Sequence, residues 1–273
     1  MFLSRVSLQH TPEGRKALLE SAQKGVYGQH QLLWWLFEGD EKRQFLFREE
    51  QGDGRIVARG EPYFYLLSPE QPRDDSGLFH IESRAFQPRL SVEQKLDFRL
   101  RLNPTVCRQG KRHDVVMDAQ RQWLQAECGR LDLSIDGAKK RMKSRLLDMA
   151  GDAELVRWRE LIAEGPYRDD CERRLGRTET LNLVLKSCSD CAVREWWQSR
   201  CEEYGIGIES GTVEINGYQQ QLMPGKGRGA AFSSLELSGT LRVTQPETFL
   251  SQLHKGFGRA KGFGCGLMMI KPA

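Results

Sequence analysis

Apolar positions along this chain recur with two periods, and the places where one gives way to the other define its organisation. "FLSRVSL" (residues 2–8) roughly alternates apolar and polar side chains and predicts a strand. Thr11-Pro12 reads as a helix start, and Ala17, Leu18, Leu19 and Ala22 give a short amphipathic run after it. Gly25 and Gly28 interrupt that run, and a second helix is expected to carry His30, Leu32, Leu33, Trp34, Leu36 and Phe37. Strands resume at "RQFLFREEQ", "RIVAR" and "PYFYLLS"; a Pro- and Asp-rich loop, "SPEQPRDDSG", separates them from a further strand candidate, "LFHIESRAF".

The clearest period of two is "KLDFRLRLNPTV". Leu96, Phe98, Leu100 and Leu102 fall on one face, Asp97, Arg99 and Arg101 on the other, and the run stops at Asn103-Pro104. From about 117 to 203 the spacing is helical, with expected breaks at Gly129, Gly137, Gly151, Gly165-Pro166 and Gly176. Strands return at "IGIESGTVEING" and "SSLELSGTLRVT", flanking the loop "YQQQLMPGKGRGAAF". A short helix, "PETFLSQLHKG", and a closing strand, "CGLMMIKP", complete the order. That order predicts an α+β protein of two tandem ferredoxin-like (split βαβ) domains, residues 1–90 and 91–273. A helical insertion of about 117–191 stands at the first helix of the second domain.

Composition narrows the class without naming an activity. The 273 residues are 39% hydrophobic and 29% charged, with no apolar run near the ~18 residues a membrane helix needs. The opening "MFLSRVSLQH" lacks the apolar core of a secretory signal, so a cytoplasmic protein with no membrane association is expected. Seven cysteines, odd in number and irregularly spaced, suit reduced thiols. A net charge of +4 is only mildly basic; whether phosphates are bound depends on where Lys and Arg cluster.

One such cluster is "LHKGFGRAKGFGCGLMMIKPA", with Gly256, Gly258, Gly262, Gly264 and Gly266 set among Lys255, Arg259 and Lys261. It is not a dinucleotide fingerprint, because a helix precedes it where a first βαβ strand should stand. Nor is it a P-loop, since no Gly-Lys-Ser/Thr follows. Two readings remain: a plain helix-to-strand turn eased by glycine, or backbone amides and cations arranged for a nucleic-acid backbone.

At this point the chain resembles a known family. "GFGRAKGFGCGLMMIKP" is similar to the carboxy-terminal glycine-rich loop of the repeat-processing CRISPR endoribonucleases, in particular the CasE branch of type I-E Cascade. "MFLSRV", "YGQHQLLWWLF" with "RQFLFREE", and "FRLRLNPT" resemble three further motifs of that branch in the same order. The resemblance covers about residues 1–116 and 192–273, and the related processing nuclease of type IV systems is a neighbouring branch.

The resemblance implies a metal-independent endoribonuclease with no cofactor that cuts CRISPR precursor RNA within the repeat, 3′ of the stem-loop. Its implied partners are the crRNA stem-loop and other subunits of the effector complex. It assigns the catalytic histidine to His30 and the active-site tyrosine to Tyr27, three residues apart and so on one face of a helix. Histidine suits this acid–base work because its ordinary pKa, about 6.5, lies near neutrality.

Lys226 and Arg228, in "MPGKGRG", resemble the family's basic hairpin tip. Arg99, Arg101, Lys255, Arg259 and Lys261, with Gly256, Gly258, Gly262, Gly264 and Gly266, are expected to meet RNA. "KKRMKSR" (139–145) reads as a solvated cationic face or a contact with crRNA or a neighbouring subunit. Cys188 and Cys191 have metal-ligand spacing, with Cys171 or Cys201 as further thiols. No second C-x-x-C or nearby His pair completes a site, so no metal is expected.

Overall fold

Seven residues of alternating pattern form the first strand, β1 (Phe2–Leu8), in a computed structural model that describes residues 1–37, 45–53, 60–163, 165–172, 175–209, 211–222 and 231–273. Thr11 then caps α1 (Pro12–Gln23), its hydroxyl accepting from the Gly14 N–H at 3.1 Å, with Pro12 in the first turn. α2 (Gly25–Trp34) follows after one residue. The expected interruption at Gly28 does not occur. Gly28 lies inside α2, where a Cβ would come within 2.4 Å of the Ser21 carbonyl oxygen, so its role is to let the two helices approach.

β2 (Leu46–Gln51), β3 (Pro62–Ser68) and β4 (Phe79–Ala85) complete the first sheet, antiparallel throughout in the order β2-β3-β1-β4. The first and third strands are central, which is the ferredoxin-like arrangement. Residues 69–78 form a loop where a second helix would stand, held by the Asp74 carboxylate accepting from the Ser76 and Phe79 N–H groups. The strand expected at 55–59 lies outside the described residues.

One sheet face carries Val6, Phe47, Phe64 and Leu66, packed under Leu32, Leu33 and Leu36 of the helical layer. The other carries Leu3, Leu46 and Leu67, which meet Leu267, just before the last strand of the second sheet, and Met269 within it.

β5 (Lys95–Leu102) opens that second sheet with the alternation its sequence predicts: Leu96, Phe98, Leu100 and Leu102 are buried. The chain then leaves for a separate compact unit, residues 104–199. That unit begins with a hairpin absent from the sequence reading, β6 (Thr105–Arg108) and β7 (Lys111–Asp114). Five helices follow: α3 (Val115–Arg130), α4 (Lys139–Met149), α5 (Asp152–Ala163), α6 (Arg168–Glu172) and α7 (Arg177–Cys201). Gly137, Gly151, Gly165 and Gly176 fall between helices as expected, whereas Gly129 stays inside α3.

The unit's core includes Leu124, Cys128, Met142, Leu146, Trp158 and Leu181. The buried Glu127 accepts from Trp158 Nε1 at 2.9 Å and Arg157 Nη1 at 2.6 Å, and pairs with Arg130 at 3.0 Å. Burial opposes that charge, but the three donors hold its pKa below the usual carboxylate range.

The second sheet resumes with β8 (Ile206–Ile208), β9 (Glu214–Leu222) and β10 (Ala231–Val243). α8 (Pro246–Lys255) and β11 (Met268–Pro272) close it. The order is β11-β5-β10, with β8 and β9 both antiparallel to β10. It is the ferredoxin-like order again, with the second strand split in two. The segment read as loop from Tyr218 is strand as far as Leu222, because Gln219–Leu222 pair across to Ala231–Ser234 despite their polar character.

α8 contains a titration switch. The half-buried His254 ring meets Phe86 edge-on at 6.4 Å, and its Nε2 is buried with no hydrogen-bond partner among the described residues. Burial, reinforced by the charge of the amino terminus, pushes its pKa down. The unfolded chain, with a pKa near 6.5, therefore binds more protons just below that pH than the fold does. Stability should be full above about pH 6.5 and fall as the pH drops from there towards the lowered folded value. Urea midpoints taken between pH 7 and 5.5 should decline, and His254→Leu should flatten that part of the profile.

Candidate active site

His30 sits on α2 in an aromatic cage. Trp34, one turn on, meets its ring edge-on at 5.2 Å; Phe45 stacks at 5.8 Å and Phe47 lies tilted at 6.2 Å. The ring is half-buried and its Nε2 lies inside the fold. Gln29 donates to Glu49 at 2.7 Å, tying the same helix to β2. Tyr27, 46% exposed, shares the helix with His30 at the i, i+3 spacing, and both line one cavity of about 540 Å³.

The glycine loop reaches the same place from the other end of the chain. After α8 it turns through Gly256 and Gly258, makes a 3₁₀ turn at Lys261–Phe263, and passes Gly264 and Gly266 into β11. That 3₁₀ turn packs against both α2 and β2. Gly256, at φ +73°, lies where a Cβ would come within 2.6 Å of Leu46 Cδ1. The Phe257 N–H donates to the Gly266 carbonyl at 2.9 Å, and the Gly266 N–H to the Arg101 carbonyl at 2.8 Å.

The first of these bonds closes the loop on itself and the second ties it to β5, while Lys255 and Arg259 remain exposed on its surface. Lys261 donates to the Lys255 carbonyl at 2.6 Å, and Gly262 sits in the half-buried 3₁₀ turn. Phe263 stacks on Phe232 of β10 at 4.9 Å, which brings the base of the β9–β10 hairpin to the loop. Lys226 and Arg228, which the sequence places between β9 and β10, lie outside the described residues.

Beneath the loop is a charge network that joins the two sheets. Arg48 on β2 is 1% exposed; its Nε donates to Glu50 Oε1 at 2.5 Å, and its Nη2 lies 2.9 Å from Glu236 Oε2 on β10. The second contact is close enough to attract but is not aligned as a hydrogen bond. Burial opposes the Arg48 charge, yet Glu236 and Glu50 outweigh it and hold its pKa above the ordinary value.

Arg101 Nε donates to Glu236 Oε1 at 2.6 Å, and Arg99, 62% exposed, lies 3.7 Å from Glu50. Burial pushes the neighbouring Cys265 thiol up to about 12. Of the outward arginines on β5, Arg101 is thus engaged by Glu236, while Arg99 keeps most of its surface in solvent.

Among the described residues no group of three or more His, Cys, Asp or Glu could hold a metal ion. Cys188 and Cys191 lie on α7, and among the described residues no helix is long and apolar enough to cross a membrane. Of the cationic run on α4, Lys143 donates to Asn182 and Arg145 Nη1 to Asp136 Oδ1 at 3.0 Å, while Lys140 and Arg141 are exposed.

A family model described as "CRISPR associated protein" matches residues 1–272. The chain belongs to that family. It is 23% identical over 251 residues to the CRISPR system Cascade subunit CasE of Escherichia coli K12, covering 91% of this chain and 93% of CasE. In fold it is similar to Thermus thermophilus Cse3, solved bound to an RNA representing a pre-cleavage complex. That match has a TM-score of 0.59 and 19% identity over 99% of this chain and 98% of the other. Cas6e of E. coli K-12 matches with a TM-score of 0.54 and 18% identity over the full length of both chains.

The sequence reading missed Arg48, Glu50 and Glu236. The signal was present: in "FLFREEQ" the period of two puts Arg48 on the same strand face as Leu46, which is an apolar position. A charge so placed must be paired inside. Arg48→Met would take the buried guanidinium from both Glu50 and Glu236, leaving them only the more exposed Arg99 and Arg101, and should destabilise the protein by about 3 kcal/mol, read as a lowered urea midpoint.

Proposed function

We propose that this chain is a CRISPR repeat endoribonuclease that cuts precursor RNA on the 3′ side of the repeat stem-loop. It then stays on the mature guide as a cytoplasmic subunit of an effector complex. The observation that carries this reading is the packing of the His30-bearing helix against the 3₁₀ turn of the glycine loop, in a chain whose family match runs from residue 1 to 272. An imidazole and a phenol then line one cavity on a helix that a cationic loop packs against. The similarity to a Cascade subunit and to an RNA-bound Cse3 points the same way.

RNA carries its own nucleophile. The 2′-hydroxyl attacks the adjacent phosphorus, the bond from phosphorus to the 5′-oxygen breaks, and the products are a 2′,3′-cyclic phosphate and a 5′-hydroxyl. One proton leaves the 2′-oxygen and one reaches the 5′-oxygen, work for which His30 is placed and for which no metal is required. Its Nε2 lies inside the fold, and a half-turn about χ2 exchanges Nδ1 with Cδ2 and Nε2 with Cε1, which re-aims both nitrogens without moving the helix.

The Tyr27 hydroxyl orients the phosphate. Lys255, Arg259 and Lys261 hold the strand beside it, Arg99 and Arg101 lie along the sheet it crosses, and Lys226 and Arg228 enter the groove under the stem. The hairpin is read by shape and backbone as well as by base edges.

A second reading, an RNA-hairpin-binding subunit that cuts nothing, draws on the burial of His30 Nε2 among aromatic rings. Single-turnover cleavage separates the two. His30→Ala should slow cutting by roughly 10²–10⁴-fold with binding unchanged, and EDTA should leave the wild type unaffected. Equal rates in the variant would remove His30 from the mechanism, loss of activity in EDTA would overturn the metal-free scheme, and wild-type binding without cleavage would establish the second reading.

A further inference from the structure

The cavity beside α2 holds more than His30 and Tyr27. Glu20, Lys24, Gln31 and Trp35 also line its roughly 540 Å³, a size within the ~300–1,000 Å³ of small-ligand sites. Tyr27, Gln31 and Trp35 are four residues apart in turn, so they form one stripe along the outer side of the helix. The two adjacent tryptophans are used differently. Trp34 is turned in against His30, whereas Trp35 is 62% exposed at the helix end. A lone exposed apolar side chain is ordinary. This one, however, borders a cavity with a second exposed ring, Tyr27, on the same stripe.

The lining is chemically mixed: beside the His30 imidazole it offers a carboxylate, an ammonium, an amide, the Ser21 hydroxyl and the rings of Tyr27, Trp34 and Trp35. Glu20, exposed on the lining, would repel a phosphate seated beside it in the cavity. A nucleobase suits it better, because a flat ring can stack on an indole while its exocyclic amino group donates to a carboxylate or an amide oxygen. Lys24 is then left for the backbone that carries the base.

We infer that this cavity is a base pocket for a nucleotide adjoining the scissile phosphate, that Trp35 is its stacking platform, and that Glu20 and Gln31 address the base edge. The inference rests on the ribonuclease reading, since the cavity is the one His30 faces. Seating the base there would splay the strand open at the cut and turn the 2′-oxygen in line with its phosphorus, so the pocket positions the substrate without touching a proton.

The test uses full-length protein and a repeat RNA made uncleavable by a 2′-deoxy nucleotide at the cut, with 2-aminopurine placed on either side of the scissile phosphate. Binding should quench the fluorescence at one of the two positions in the wild type and in Trp35→Phe, and Trp35→Ala should relieve that quenching. With cleavable RNA, Trp35→Ala should raise the half-saturating concentration by roughly 5- to 150-fold, the range of one base–aromatic stack. Trp35→Phe should restore most of it.

Binding and cutting by the wild type, with no Trp35-dependent quenching at either position, would overturn the base pocket and leave the nuclease reading standing. Failure of the wild type to bind the RNA at all would overturn both.

Discussion

A guanidinium that is 1% exposed must find its counter-charges inside the protein, and Arg48 finds them on both sheets at once. Glu50 is its neighbour on β2; Glu236 comes from β10, where Arg101 also holds it. Because charge buried without a partner costs several kcal/mol, β2 and β10 cannot slide past each other without exposing or stranding one of these groups. The strand that carries Arg48 also carries Phe47, which flanks His30 on one side and meets Gly264 of the glycine loop on the other. Fixing β2 therefore fixes the floor on which helix and loop converge.

The glycine loop shows that a turn forced by packing and a surface offered to a ligand need not be alternatives. Gly256 is required because Leu46 leaves no room for a side chain, the Phe257 amide closes the loop on itself, and the Gly266 amide ties it to Arg101 of β5. The same closure leaves Lys255 and Arg259 pointing to solvent from a backbone that cannot drift. Rigid cations lose less conformational freedom on meeting a phosphate than cations on a loose tail would.

What could be read from the sequence follows the range of the forces involved. Alternation in β5, the Thr11 cap and the helix breaks at Gly137, Gly151, Gly165 and Gly176 are local, and they were legible. The strand character of residues 218–222 was not, because three glutamines carry no apolar signal and their pairing to β10 is decided by the hairpin as a whole. Gly28 misled for a similar reason: within a single helix it looks like a breaker, and only the Ser21 carbonyl of the neighbouring helix explains it.

At the site, the i, i+3 spacing of Tyr27 and His30 was visible, and the family resemblance gave it meaning. The meeting of α2 with residues 261–263 has no local signature at all, and neither does the role of Trp35, whose exposure depends on where Trp34 turns.

The excursion between β5 and β8 also sets an order of events on the ribosome. The first sheet is complete once residue 85 has emerged, whereas Leu100 must wait for Leu237 before its strand has a central partner. Residues 104–199 can collapse around their own core in the interval, while β5 waits without either of its eventual partners, β10 and β11. The arginines and the aspartate on its outer face guard that strand against neighbours during the delay, and the packing of α2 and β2 on the 3₁₀ turn at 261–263 comes last.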